Sequence, residues 1–401
     1  MGLAARGRRA RWAACLAVLV LPGGAGCAHG SPGTVAGGVC SSAPGTAAAG
    51  GRPPQLMSVS AAPGTRQAWA LGQFVMPAQG LVFYLVHFSG LYWAKAVTFA
   101  PEFQLDGVSA VSGNVAWLWG YDQPGADFTS DRPFLARMSD GVVRQVHQAF
   151  LKNVYVWALA SDGSAEAWLV GGARDRHGRF EGVVAARWDG TSWHQVPAPA
   201  GVAGSASDGL TSLSISGRSD AWVVSRPVPV KPRLLHWDGM TWSRSYAPPA
   251  SLSRSGSVPS GMSVASSPGH AWVVYGEGVD NSGSSAPVGP PPRPFSAYFD
   301  GSTWRRYVVP TGFSSLTGVA MAGGDAWALG KLHNDNPEIL YSHQGSGWCV
   351  QPLPRPHHPG CNPASSSISA ASPTYVIAVS LCYAYVYDGH RWRSVSPRPA
   401  T

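Results

Sequence analysis

The chain has 401 residues, a formal net charge of +8 and only 12% charged side chains, beside 49 glycines, 34 prolines and 17 tryptophans. That charged share is about half the usual one, and the arginines are scattered or grouped in the leader, so no basic run marks a nucleic-acid partner. The chain beyond the leader is ample for a large core, and its uniform composition argues against a second folded domain.

Residues 1–27 begin with Arg6, Arg8, Arg9 and Arg11, continue with the apolar run 12–21, and end in Pro-Gly-Gly and small residues before Cys27. An apolar run of about ten residues is too short to span a bilayer, and the order of charge, apolar centre and small-residue exit is that of a secretory signal peptide. Export through the general secretory route is expected. Gly24-Ala25-Gly26-Cys27 is similar to a bacterial lipobox with Gly24 in the usual leucine place. Two outcomes are open: lipidation at Cys27, with the protein on the outer face of the plasma membrane, or cleavage nearby and secretion. Residues 28–54 are Gly, Ala, Ser, Pro and Thr with little to bury, and read as a flexible tether.

From residue 55 onward one unit recurs. Its clearest copy is 210–247, where LTSLSIS, AWVVS, RLLHWD and TWSRSYA are four strand-length runs separated by turn residues. Ala-Trp pairs mark the second strand at Trp69, Trp117, Trp168, Trp222, Trp272 and Trp327, with Thr374-Tyr375 in the seventh place. The third-to-fourth turn carries Gly90, Gly141, Gly190, Gly239, Gly301, Gly345 and Gly389. Three residues beyond each stands a tryptophan, except Arg144 in the second copy. Seven copies of a four-stranded sheet bury their apolar faces only by stacking around an axis. The expected fold is therefore all-β, a seven-bladed β-propeller over 55–397, with blades near 55–100, 103–149, 152–198, 209–249, 260–310, 315–354 and 366–397. First strands alternate small polar and apolar residues, as in Leu213-Ser214-Ile215-Ser216, which suits the crowded axis. Each blade is complete in its own four strands, so ring closure needs a further device.

These Trp-rich blades and Asp-Gly turns resemble secreted bacterial propellers of the kelch or galactose-oxidase type and the Asp-box type. No Gly-Gly doublet ends each second strand, and the full Ser-x-Asp-x-Gly-x-Thr-Trp pattern is absent, so the resemblance implies a fold and no active site. The repeated tryptophans, Trp242 among them, are expected to pack between blades. Asp140, Asp189, Asp238, Asp300 and Asp388 are expected to cap turn amides.

Cys40, Cys349, Cys361 and Cys382 form an even set in an exported chain, compatible with three disulfide connectivities. Cys349 with Cys361 is the local pairing, which leaves Cys40 with Cys382 to tie the tether to the last blade; buried free thiols are the alternative. His357, His358, His333 and Asp335 are accounted for by a proline-rich linker and loop, and no metal or cofactor is expected. No nucleophile elbow, zinc-protease helix or phosphate loop occurs.

In such a blade the two-to-three and four-to-one loops share one face, and these are the long, charged loops here. Loops on a rigid scaffold are the usual carriers of function. Blades 2 and 3 bring both signs together in Asp127, Asp131, Arg132, Arg174, Asp175, Arg176 and His177, a cluster able to orient a polar ligand, although solvated loop charges have the same look. Two function classes stand: a monomeric binding or scaffold propeller for a glycan, peptide or cell-envelope partner, or an extracytoplasmic hydrolase or lyase using loop-face carboxylates.

Overall fold

The computed structural model describes residues 55–76, 80–123, 131–164, 166–175, 177–199, 210–225, 233–245, 259–277, 294–333, 336–354, 366–380 and 383–396. The leader, the tether, Cys27, Cys40, Cys361, Cys382, Asp127 and Arg176 lie outside them.

Seven antiparallel sheets of four sequence-consecutive strands succeed one another along the chain. They span 55–98, 103–145, 154–196, 210–245, 259–307, 313–351 and 366–395, close to the expected limits. The first strand of each blade contacts the first strand of the next, and the seventh contacts the first, so first strands surround the axis and the ring is closed.

The small residues of those first strands have a second use. An innermost strand exposes an edge of unpaired amides, which must find acceptors once water is excluded. Serines of one blade accept them from the next: Ala110 N donates to Ser60 Oγ at 2.9 Å, Ser161 N to Ser109 Oγ at 3.0 Å and Ser266 N to Ser214 Oγ at 2.9 Å. The same contact closes the ring. Ala61 N donates to Ser369 Oγ at 2.9 Å and Val59 N to Ser367 Oγ at 3.2 Å, above a shared apolar cluster that joins Leu56, Val59 and Phe88 to Tyr375, Ile377 and Val386.

Between blades the packing is aromatic. Trp117 meets Trp188 and Trp193 of the next blade at 5.1 Å each, Trp168 meets Trp237 at 5.4 Å and Trp242 at 6.0 Å, and Trp222 meets Phe299 at 5.3 Å and Trp304 at 5.7 Å. The second-strand tryptophans are buried throughout. Trp242, expected to be buried as well, is only half-buried, with Nε1 donating to Pro197 O at 2.9 Å. Blade 2 shows why its tryptophan is missing. Asp140 and Gly141 (φ 52° and 79°) form a two-residue turn joining the paired Ser139 and Val142, the left-handed geometry of a tight hairpin. The shorter turn moves the register, so the place of Trp188 and Trp193 is taken by Met138 and Val143, which pair with each other.

Four of the five turn aspartates cap amides as expected. Asp189 Oδ1 accepts from Thr191 N and Ser192 N, Asp238 Oδ1 from Met240 N and Thr241 N, Asp300 Oδ1 from Ser302 N and Thr303 N, and Asp388 Oδ1 from His390 N and Arg391 N. Asp140 does not: in its tighter turn the carboxylate accepts from the side chains of Asn114 and Ser139 instead. Cys349 is exposed and has no sulfur partner among the described residues.

Candidate functional site on the loop face

The residues that the propeller repeat does not explain meet at the loop-face end of blades 2 and 3. Arg174 ends the second strand of blade 3, Ala167–Arg174. Its guanidinium carbon lies 3.7 Å from the centre of the Tyr155 ring and 4.6 Å from that of Phe180, while its Nε is buried without a hydrogen-bond partner among the described residues. Such stacking fixes the fork of an arginine while leaving its edge for a ligand. Tyr155, near the start of the innermost strand Val154–Ser161, donates its hydroxyl to the backbone oxygen of Asp131 in blade 2. Burial pushes the Tyr155 hydroxyl up, with Arg174 opposing and Asp131 adding to the shift.

Asp131 stands just before the third strand of blade 2, half-buried, with Oδ1 buried and without a partner among the described residues. Buried acceptors are normally satisfied. Arg132 is exposed and lies opposite Asp122 in the ladder. Burial raises the Asp122 carboxyl, Arg132 opposes this, and Glu102 adds to it.

The other predicted members are placed differently. Asp175 spends its carboxylate on its own loop: Oδ1 accepts from His177 N at 2.7 Å and Arg179 N at 2.9 Å, and Oδ2 pairs with Arg179 Nε at 3.1 Å. His177 is exposed on the same loop.

Sequence reasoning missed Asp106, Tyr121, Tyr155 and Phe180. Tyr121 lies near the end of the second strand of blade 2, Val115–Asp122. Burial raises its hydroxyl first, then the charges of Asp106 and Asp131, while a contact from Gln104 and the charge of Arg174 pull it down. One tyrosine thus senses all three charged groups. Asp106 sits on the innermost strand Phe103–Ser112 at a break in the ladder, between Leu105 paired with Gly120 and Gly107 paired with Trp119. A bulge of this kind turns its extra residue out of the pleat. The side chain keeps contact with solvent, but the propeller walls displace much of the surrounding water, and this desolvation pushes its carboxyl up to about 6. None of the described hydrogen bonds or ion pairs involves it. The one available sequence signal is an acid inside an otherwise apolar and small-residue run, FQLDGVSAVS.

The arrangement offers aromatic side chains, a fixed cation and two carboxylates, which suits a polar ligand with an apolar flank. It lies where the two-to-three and four-to-one loops emerge.

No protein-family model matches the chain, and no curated protein matches it. Solved structures do. The chain is similar to the GH74 xyloglucanase from Xanthomonas campestris, with a TM-score of 0.56 and 15% identity over 87% of this chain and 55% of that one. It is similar as well to the BP39L lectin from Burkholderia pseudomallei, with a TM-score of 0.53 and 11% identity over 85% of this chain and 99% of that one. The chain therefore spans about half the length of the xyloglucanase, and at these identities the likeness is one of fold.

Proposed function

We propose that this propeller is an extracytoplasmic binding or scaffold module that takes a glycan in the cluster between blades 2 and 3. The observation that carries the reading is Arg174, held against the rings of Tyr155 and Phe180, with the Tyr155 hydroxyl reaching the backbone of Asp131, whose Oδ1 is buried and has no partner among the described residues. A sugar ring presents an apolar flank to aromatic side chains and hydroxyls to donors and acceptors together, and this site supplies all three. The two similar propellers, a lectin and a xyloglucanase, are named for carbohydrate work, which is in keeping with the reading. The leader implies export, with the protein anchored through lipid on Cys27 or released. In that compartment Cys349 pairs with Cys361 and Cys40 with Cys382, and non-reducing peptide mapping that finds four free thiols removes this part of the proposal.

A glycan array probed with the purified protein tests the function. Specific binding is expected, weakened at least tenfold by Arg174→Ala and by Asp131→Ala with the melting temperature unchanged. Changes on the opposite face, at Ser192 or Met240, should leave binding intact. Binding lost only with the opposite-face changes would move the site and refute the assignment, and capture of a peptide or cell-envelope protein with every glycan ignored would replace the ligand class. The second reading, a hydrolase or lyase, is favoured by one observation: a carboxyl near 6 at Asp106 suits a general acid at neutral pH. Chain cleavage of a bound oligosaccharide, abolished by Asp106→Asn, would establish it.

A further inference from the structure

Because all seven blades place their first strands around the axis, a residue that differs in kind at one level of that ring is not explained by the fold. The serine-to-amide contacts set the level. Ser60, Ser109, Ser214 and Ser369 occupy equivalent places, and the corresponding residues of the other blades are Ala160, Ala265 and Ala320. Three positions earlier stand Met57, Asp106, Trp157 and Thr211, then Met262, Thr317 and Ser366. In six blades the ladder breaks at this position: at Leu56/Ser58, Leu105/Gly107, Leu210/Ser212, Ser260/Ser263 and Leu316/Gly318, and opposite Val170/Gly171 in blade 3. The bulge is thus part of the scaffold. The carboxylate is not, since Asp106 is the single acid of the set.

The carboxylate is exposed and has no hydrogen-bond or ion-pair partner among the described residues, so the fold itself makes no use of it. A charge that the scaffold does not use is the kind of local departure found at functional sites. Asp106 lies two residues along the innermost strand of blade 2 from Gln104, the ladder partner of Tyr121, and that strand packs beside the innermost strand of blade 3, which carries Tyr155; this places it next to the cluster between blades 2 and 3.

We infer that Asp106 contacts the ligand of that site, accepting hydrogen bonds from the hydroxyls of an uncharged sugar end group, and that the chain holds one such ligand. The inference rests on the proposed glycan reading. Asp106, Asp131 and Asp122 against Arg174 and Arg132 leave no surplus positive charge, so acidic sugars are repelled. The single stoichiometry comes from the other blades. The place of Tyr155 is taken by Gln55, Gln104 and Ser315, and that of Arg174 by Val75, Gln123 and His333. None of blades 1, 2 and 6, where both places are described, repeats the constellation.

The test uses the full chain with methyl glycosides of glucose, galactose, mannose, xylose and fucose, the matching methyl uronides, and methyl glucosaminide. Saturation-transfer NMR finds the binders, and titration calorimetry with native mass spectrometry gives affinity and stoichiometry. A neutral glycoside is expected to bind one per chain, at least tenfold tighter than its uronide, and Asp106→Asn is expected to weaken it at least tenfold without lowering the melting temperature. Met57→Asn, at the equivalent place in blade 1, should leave the affinity unchanged even where its lost packing lowers the melting temperature. More than one site per chain, preference for a uronide or for the ammonium-bearing sugar, or full binding by Asp106→Asn overturns the inference. If Arg174→Ala abolishes binding while Asp106→Asn does not, the glycan site stands and this inference alone fails. If no sugar binds, both fall.

Discussion

Asp106 and the repeat tryptophans show the two ways in which one side chain matters here. The folded pKa of Asp106 lies above its ordinary value of 3.8, at about 6. Below about pH 4 the carboxyl is protonated in both folded and unfolded chains, and its partial desolvation costs no ionisation energy. As pH rises toward 6 and beyond, the unfolded chain ionises freely while the folded one resists, so the penalty develops over that window and is complete above it. Asp106→Asn should therefore melt higher than the native protein above about pH 6, with the two curves converging below about pH 4. A native protein as stable as the variant at neutral pH would show that something compensates the charge. For the tryptophans, complete burial of Trp168 predicts a loss of about 3–5 kcal/mol in Trp168→Ala. Half-burial predicts a smaller loss in Trp242→Ala, and chemical denaturation that ranks them the other way would contradict the packing between blades.

Turns and edges are controlled by small polar contacts that recur from blade to blade. In the turns at Asp189, Asp238, Asp300 and Asp388, donated amide hydrogens hold each carboxyl well below its usual range. A depressed carboxyl stabilises the fold above the unfolded pKa and loses that contribution as pH falls through the folded one. Asp300→Ala should lower the melting temperature at neutral pH and speed exchange of the Ser302 and Thr303 amides, with the difference vanishing in strong acid; unchanged exchange would exclude the cap. Along the axis, Ser214→Ala leaves the Ser266 amide without its acceptor and should cost about 1 kcal/mol. The turn aspartates are legible from sequence because each lies within three residues of the amides it caps. Asp140 departs from that expectation because its two-residue hairpin depends on pairing Ser139 with Val142, which the Asp-Gly dipeptide alone does not specify.

At the scale of the molecule, closure of the ring is the event that makes seven sheets one fold. The first and last blades meet through Ser367 and Ser369 and the cluster around Tyr375 and Phe88. Replacing both serines with alanine should destabilise the protein by about 1–3 kcal/mol, while Ala265→Ser, which adds a hydroxyl at the equivalent place in blade 5, should not. A double variant as stable as the native chain would assign closure to apolar packing alone. What the sequence by itself determined is the propeller: blade count, blade limits and the inter-blade tryptophans recur at short range because every blade faces the same packing problem. The candidate site was only half legible. Asp131 and Arg174 announce themselves as charges at the edges of the long two-to-three loops, whereas Asp106, Tyr121, Tyr155 and Phe180 lie within strands whose pattern is that of the core. Only tertiary structure decides their role, because the bulge that turns Asp106 out is defined by its pairing with the second strand, and the cluster exists only where blade 3 stacks on blade 2.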